Sequence, residues 1–154
     1  ATGTGCLRVF DVNLRQAFYG ADVLRESLKL ASVAKLNDDE LPIVAELMGV
    51  AASDEASMAR GLRERFGLAW VVVTRGARGA VLTGDRLWVH PGFNVKVADT
   101  VGAGDAFTAA LTHHLLTGSD PEKTLDAACR MGAWVASSKG ATPIPDPEVL
   151  AVIR

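Results

Sequence analysis

Asp99-Thr100-Val101-Gly102-Ala103-Gly104-Asp105-Ala106-Phe107 is the stretch on which the reading of this chain turns. Gly102 and Gly104 have no Cβ, so the backbone takes conformations closed to other residues and can come close to a ligand. Ala103 between them is nearly as small. Phe107, Leu111 and Leu115 then recur every four positions, as in a helix laid on a core. The helix therefore starts in or just after the glycines. Free N–H groups at such a start, together with the helix dipole, make a site for phosphate or for charge developing in a transition state. Asp105 is placed to take a proton from a hydroxyl attacking that phosphate. Taken alone, a Gly-x-Gly-Asp is more often a turn followed by a capping charge, so a functional reading must rest on the whole nine-residue string.

Upstream, short apolar runs alternate with helical patterns. Leu7 to Val12 reads as a buried strand, with Asp11, Asn13 and Arg15 at its carboxyl end, where open parallel sheets bind ligands. An ordinary polar loop explains those three residues as well. Asp22 to Leu30 predicts a helix capped by Asp22, with Val23, Leu24, Leu28 and Leu30 as its apolar positions. Ser32 to Leu36 predicts a strand, and the Asn37 to Leu41 segment leads into a helix running to about Met48 and ended by Gly49. Ser53 to Phe66 predicts a helix capped by Ser53, its Arg60, Arg63, Glu64 and Arg65 forming a solvated face. Ala69 to Thr74 is the clearest buried strand, followed by a turn bracketed by Gly76 and Gly79. That turn is not a P-loop, because the Gly-Lys-Ser/Thr ending is missing.

Leu87 to His90 and Val95 to Val97 predict two short strands before the glycine motif. Beyond it, His113 and His114 have no partner at metal spacing and read as structural or surface residues. Asp120, Pro121 and Glu122 open a long helix with a small inner face of Ala128, Cys129, Gly132, Ala133 and Ala136. The alternation of strands with 10-to-15-residue helical patterns predicts an α/β domain built on a parallel sheet.

Composition is consistent with one domain: 154 residues, 49% apolar, 22% charged, net charge −2. No basic excess points to nucleic acid or a membrane surface, and no apolar run approaches the roughly 20 residues of a membrane span. Cys6 and Cys129 lack metal-ligand spacing and read as two reduced thiols of a cytoplasmic protein. No signal peptide is visible, although the chain begins at Ala1 rather than Met.

Position for position, residues 99–107 resemble the C-terminal signature of the ribokinase-like carbohydrate kinases, the pfkB family. The resemblance implies that Asp105 is the general base and that the amides of Gly102, Ala103 and Gly104 form the anion hole. Phe10-Asp11-Val12-Asn13-Leu14-Arg15 looks like the segment of fructokinase-like and 2-keto-3-deoxygluconate kinase-like members that places Asn13 and Arg15 near the sugar. Asn37 and Glu40 match the family's Asn-x-x-Glu element, implying Mg²⁺ held through water. Thr74, Arg75, Gly76 and Gly79 match the segment that meets ATP phosphates, while Ala133, Ala136 and Gly140 fall where the adenine pocket lies. Asp99 is similar in position to a residue lining a monovalent cation site, implying K⁺ as a further cofactor.

The implied fold is the C-terminal portion of a three-layer ribokinase-like α/β fold with a mainly parallel central sheet. Residues 1–154 would form the ATP-binding and catalytic part, with the N-terminal sugar-binding and lid part absent. The implied activity is ATP-dependent phosphorylation of a sugar hydroxyl, fructokinase-like. A 2-keto-3-deoxygluconate kinase and a noncatalytic nucleotide-binding fragment stay open as alternatives. The expected partner is a sugar, with no nucleic acid or membrane, and a homodimer in the complete protein. The chain by itself is expected to bind nucleotide weakly, to transfer little phosphate and to self-associate through exposed strand edges.

Overall fold

Three strands in a row carry apolar side chains with little alternation, the pattern of a sheet covered on both faces. In the computed structural model, which describes residues 5–16, 19–145 and 147–152, they are β1 (Val9–Asp11), β2 (Val33–Asn37) and β3 (Trp70–Thr74). They pair in parallel, with Val9 beside Val33 and Val33 beside Trp70. Two more strands, β4 (Ala80–Thr83) and β5 (Leu87–His90), complete a five-stranded sheet in the order β1-β2-β3-β4-β5. A parallel return needs a crossover of a dozen or more residues, so the short Arg75–Gly79 connection makes β4 antiparallel to β3 and the sheet mixed.

Between the parallel strands lie the crossover helices α1 (Ala21–Leu30), α2 (Glu40–Leu47) and α3 (Glu55–Phe66). Leu28, Leu36, Leu62 and Val71 are wholly buried in their common core. Each such side chain stabilises the fold by about 1.5–3 kcal/mol relative to its exposed state. After β5 come α4 (Ala103–Leu116), α5 (Pro121–Ser137) and the short α6 (Pro147–Val152). The chain divides into two compact units, Ala1–Thr74 with Leu82–Leu87, and Arg75–Val81 with Trp88–Arg154. Among the described residues no helix is long and apolar enough to cross a membrane.

Several expectations change in detail, each for a local reason. The first strand is shorter than Leu7 to Val12 and only half-buried, because among the described residues β1 ends the sheet and pairs on one side. Asp22 does not cap α1. The helix starts after Gly20 without a side-chain cap, and Asp22 pairs instead with Arg25 at 2.8 Å on the exposed face. Val23 and Leu30 face solvent, leaving Leu24 and Leu28 as the buried stripe. Asp54, not Ser53, caps α3, accepting the Ser57 amide at 2.9 Å. The Ser57 hydroxyl first, and then this amide, favour the ionised carboxylate and lower its pKa, so the cap weakens as acid protonates it below the ordinary carboxylate range. Val95 to Val97 is not a strand: Val97 stays 57% exposed, and the segment's next anchored amides, those of Ala98 and Asp99, bond to the Ala136 carbonyl. Helix α6 was not anticipated.

Both cysteines are free, Cys6 exposed and Cys129 buried on α5. Burial first, then the charge of Asp126, raises the Cys129 thiol from 9.0 to about 12, against a smaller opposing effect of Arg75. A raised thiol pKa keeps Cys129 neutral in the fold, so this site loses stability as pH climbs above 9.0 toward about 12. At pH 8 iodoacetamide is expected to modify exposed Cys6 well before buried Cys129, whose thiolate fraction lies about three decades below that of a thiol at the ordinary 9.0. Intact-mass analysis reads the result, and two alkyl groups added at equal rates to the folded protein would contradict the burial described here.

Candidate active site

Gly102 lies in the second unit. Its φ of 82° and ψ of −10° are left-handed, and it forms the N-cap of α4. Asp99 Oδ1 accepts the Val101 amide at 3.0 Å and Thr100 O accepts the Ala103 amide at 3.3 Å, so residues 99–103 make a tight turn with glycine at its positive-φ position. A Cβ on Gly102 would stand 2.3 Å from the backbone oxygen of Ala141. The first bond running up the helix is Ala106 N–H to Gly102 O at 2.9 Å. Among the described residues no carbonyl accepts the amides of Gly104 or Asp105, which face outward at the positive end of the dipole. Asp105, in this first turn, is exposed.

The neighbouring supports are backbone contacts. Ala136 O accepts the amides of Ala98 and Asp99 at 2.8 and 3.2 Å, tying the turn to the end of α5. Gly132 lets α5 approach closely, since a Cβ there would lie 3.2 Å from Ala103 O. Ala133 and Ala136 are half-buried on the same helix, and Gly140 is exposed at φ 83° beyond it. His114 is buried against Ser119 Oγ at 3.0 Å and His113 is exposed, which agrees with structural and surface roles.

The second glycine turn belongs to the same unit. Gly76–Arg78 form one turn of 3-10 helix, closed by Gly79 N–H to Gly76 O at 3.1 Å and Arg75 N–H to Gly79 O at 2.8 Å. Gly79 has φ 80° and ψ −136°, and a Cβ there would fall 2.0 Å from His90 O and 2.3 Å from Gly92 N. Gly92 N–H in turn donates to His90 Nδ1 at 3.0 Å, while His90 Nε2 faces Asp126 Oδ1 at 3.2 Å. With Nδ1 accepting, the hydrogen of neutral His90 sits on Nε2 and points at that carboxylate.

In the first unit, Thr74 ends β3 with its hydroxyl donating to Leu36 O at 3.3 Å. Asn37 and Glu40 are joined reciprocally. Asn37 Oδ1 accepts the amides of Asp39 and Glu40 at 3.0 and 2.8 Å, and Glu40 Oε2 accepts the Asn37 amide at 2.8 Å. Glu40 Oε1 also accepts the amide of Leu14 at 2.8 Å, a link that helix-start chemistry gives no hint of. Asn13 and Arg15 flank Leu14 and are exposed, with Asn13 left-handed at φ 44°. Asp11, grouped with them in sequence, is committed elsewhere: its carboxylate meets Lys35 Nζ at 3.1 Å across the β1–β2 register, and Lys35 is 7% exposed.

Residues 2–148 match the model of the pfkB family of carbohydrate kinases. The chain belongs to the pfkB family. Among its curated relatives, the ATP-dependent ribose-1-phosphate kinase of Halopiger xanaduensis is 37% identical over 127 residues, covering 82% of this chain and 40% of the relative. A fructokinase of Escherichia coli is 34% identical over 150 residues, covering 88% of this chain and 47% of the relative. The crystal structure of aminoimidazole riboside kinase from Salmonella enterica, complexed with aminoimidazole riboside and an ATP analogue, superposes with a TM-score of 0.72 at 29% identity, covering 95% of this chain and 52% of that one. This pfkB-family chain thus has the ribokinase-like α/β fold and spans about half the length of the relatives it matches.

Proposed function

We propose that the complete protein transfers the γ-phosphoryl group of ATP to a sugar hydroxyl, with Asp105 as the general base. The observation that carries this reading is the first turn of α4, where an exposed carboxylate stands beside outward-facing amides on a left-handed glycine. Asp105 removes the proton of the attacking hydroxyl, and the amides of the Gly102–Asp105 segment take up negative charge as it develops. The turn from Thr74 through Arg75 and Gly76 to Gly79 supports the ATP phosphates, and the small residues Ala133, Ala136 and Gly140 admit the flat base.

Mg²⁺ fits as an ion held mainly by water and phosphate. Among the described residues no three His, Cys, Asp or Glu side chains converge on a metal position, and both Glu40 oxygens already accept backbone amides. Spare lone pairs on Glu40 and on Asn37 Oδ1 would hold metal-bound waters. When bound, the ion neutralises charge shared between phosphates. Asp99, half-buried with Oδ1 accepting the Val101 amide, is our candidate for a K⁺ ligand. A cytoplasmic homodimer is the setting we propose, in keeping with the free thiols.

The substrate we favour is a neutral sugar of the fructose type, with an acid sugar as the second reading because Arg15 is exposed beside a strained loop residue. An ADP-release assay on the longest natural form of the protein, run with sugars, sugar acids and ribosides, tests both. Transfer to none of them, with ATP still bound, would leave a nucleotide-binding module and overturn the proposal. Arg15→Lys keeps the charge but loses the planar fork that grips a carboxylate. For an acid-sugar kinase it is expected to raise KM about tenfold or more, and for a neutral-sugar kinase much less, since about 1.4 kcal/mol of lost binding is one decade. Equally small effects on both substrate classes would take Arg15 out of the site.

A further inference from the structure

Glu40 is 6% exposed, and its two oxygens hold two backbone amides that are far apart in sequence. One is Asn37, three residues upstream at the start of α2, and the other is Leu14, between Asn13 and Arg15 in the loop after β1. That loop bends through two left-handed residues with side chains, Asn13 at φ 44° and Gln16 at φ 49°. Such a conformation is disfavoured for residues bearing a Cβ and persists when the surroundings hold it. The hold present here is a charge-assisted bond from a nearly buried carboxylate, one of the stronger hydrogen bonds available.

We infer that Glu40 is a positioning residue for the sugar, fixing the Asn13–Gln16 loop and with it the direction from which Asn13 and Arg15 meet the acceptor. This rests on the kinase reading above and adds to it: the acidic residue of the Asn-x-x-Glu element acts on the acceptor side through Leu14, apart from anything it does for Mg²⁺. One side chain thereby links the acceptor loop to the capped start of α2.

The test uses Glu40→Ala and Glu40→Gln in the longest natural form of the protein. Alanine removes both bonds. Glutamine presents one oxygen and one NH₂ to two donors, so in either orientation the Leu14 bond is lost or loses its charge. The expected result is amide hydrogen exchange at Leu14 about tenfold faster or more in both variants, with KM for the sugar raised by about tenfold, the worth of a hydrogen bond to a charged group. Half-saturation by Mg²⁺ is expected to rise as well, since Glu40 also holds metal-bound waters in the reading above, so the sugar KM is measured at saturating Mg²⁺. Val44→Ala weakens the buried side of α2 without touching the link, and its sugar KM is expected to stay within about twofold although it lowers thermal stability.

Three results would overturn the inference. One is unchanged Leu14 exchange in both Glu40 variants, and another is a shift in Mg²⁺ requirement with sugar KM unmoved. The third is a rise in sugar KM in Val44→Ala as large as that in the Glu40 variants. The exchange measurement needs no turnover, so if the wild-type protein phosphorylates no sugar, the kinase reading fails while the Leu14 link is still decided on its own.

Discussion

Asp105→Asn in the complete protein lowers turnover with a sugar acceptor by at least about a hundredfold, the usual worth of a positioned base, and leaves ATP affinity nearly unchanged. Asparagine has the shape of aspartate, so the turn at residues 99–103, which is held by Asp99, Thr100 and the Gly102 backbone, keeps its form. What is lost is the proton acceptor. The substitution also removes a negative charge from the first turn of α4, an effect of about 0.3–1 kcal/mol on stability at an exposed position. Activity and melting temperature therefore separate the two roles of this carboxylate. If kcat stays near wild type while the melting temperature falls slightly, Asp105 is a capping charge and the proposed mechanism is wrong.

Gly79→Ala has the largest expected effect on stability. At φ 80° and ψ −136° the backbone occupies a region that residues with a Cβ essentially avoid. The added carbon would also lie 2.0 Å from His90 O and 2.6 Å from Pro91 C, both backbone atoms with no flexible end to swing aside. Strain and overpacking together amount to about 3–5 kcal/mol. For a domain of this size, that lowers the melting temperature by about 10 °C or more. The turn between β3 and β4 must shift to make room, so nucleotide affinity is expected to fall with stability. Thermal denaturation with and without ATP checks both, and a melting temperature within about 2 °C of wild type would show that the close approach of residues 79 and 90–92 is not as described.

The fold was legible wherever a segment's own residues carry the signal. The Val-rich run before Thr74 could only be a covered strand, and Asp120-Pro121-Glu122 marked the start of α5, where Asp120 does accept the Glu122 amide at 2.9 Å. Caps were less legible. Ser53 and Asp54 both have a side chain able to accept an amide, and only the path of the chain into α3 selects Asp54. Val95 to Val97 carries strand-forming residues, but a strand also needs a neighbour to pair with, which composition does not reveal.

The site shows the same division. The glycines, Asp105, Asn37 and Glu40 are visible as residue types at telling spacings, and the family match over residues 2–148 agrees with the resemblance they suggested. The link from Glu40 to Leu14 was hidden, because the receiving group is a backbone amide and every residue except proline has one. The partner of Asp11 was hidden for a related reason. A polar residue at a strand's end does not show its cross-strand partner, here Lys35, until the register is known.

Gly102 meets Ala141 through the carbonyl oxygen, Cα and carbonyl carbon of that residue. The atoms nearest this side of the turn at residues 99–103 are therefore main chain and carry no side-chain signature. Natural variation should treat such a contact in a characteristic way. Exchange of residue 141 for another type leaves the touching atoms in place, whereas gain or loss of one residue between Ser138 and Ala141 moves them. The constraint on this part of the protein is thus one of length rather than identity. A comparison that scores only matching letters will undervalue the loop after α5, and an engineer seeking a place to insert a tag or a domain should avoid it despite its exposed surface.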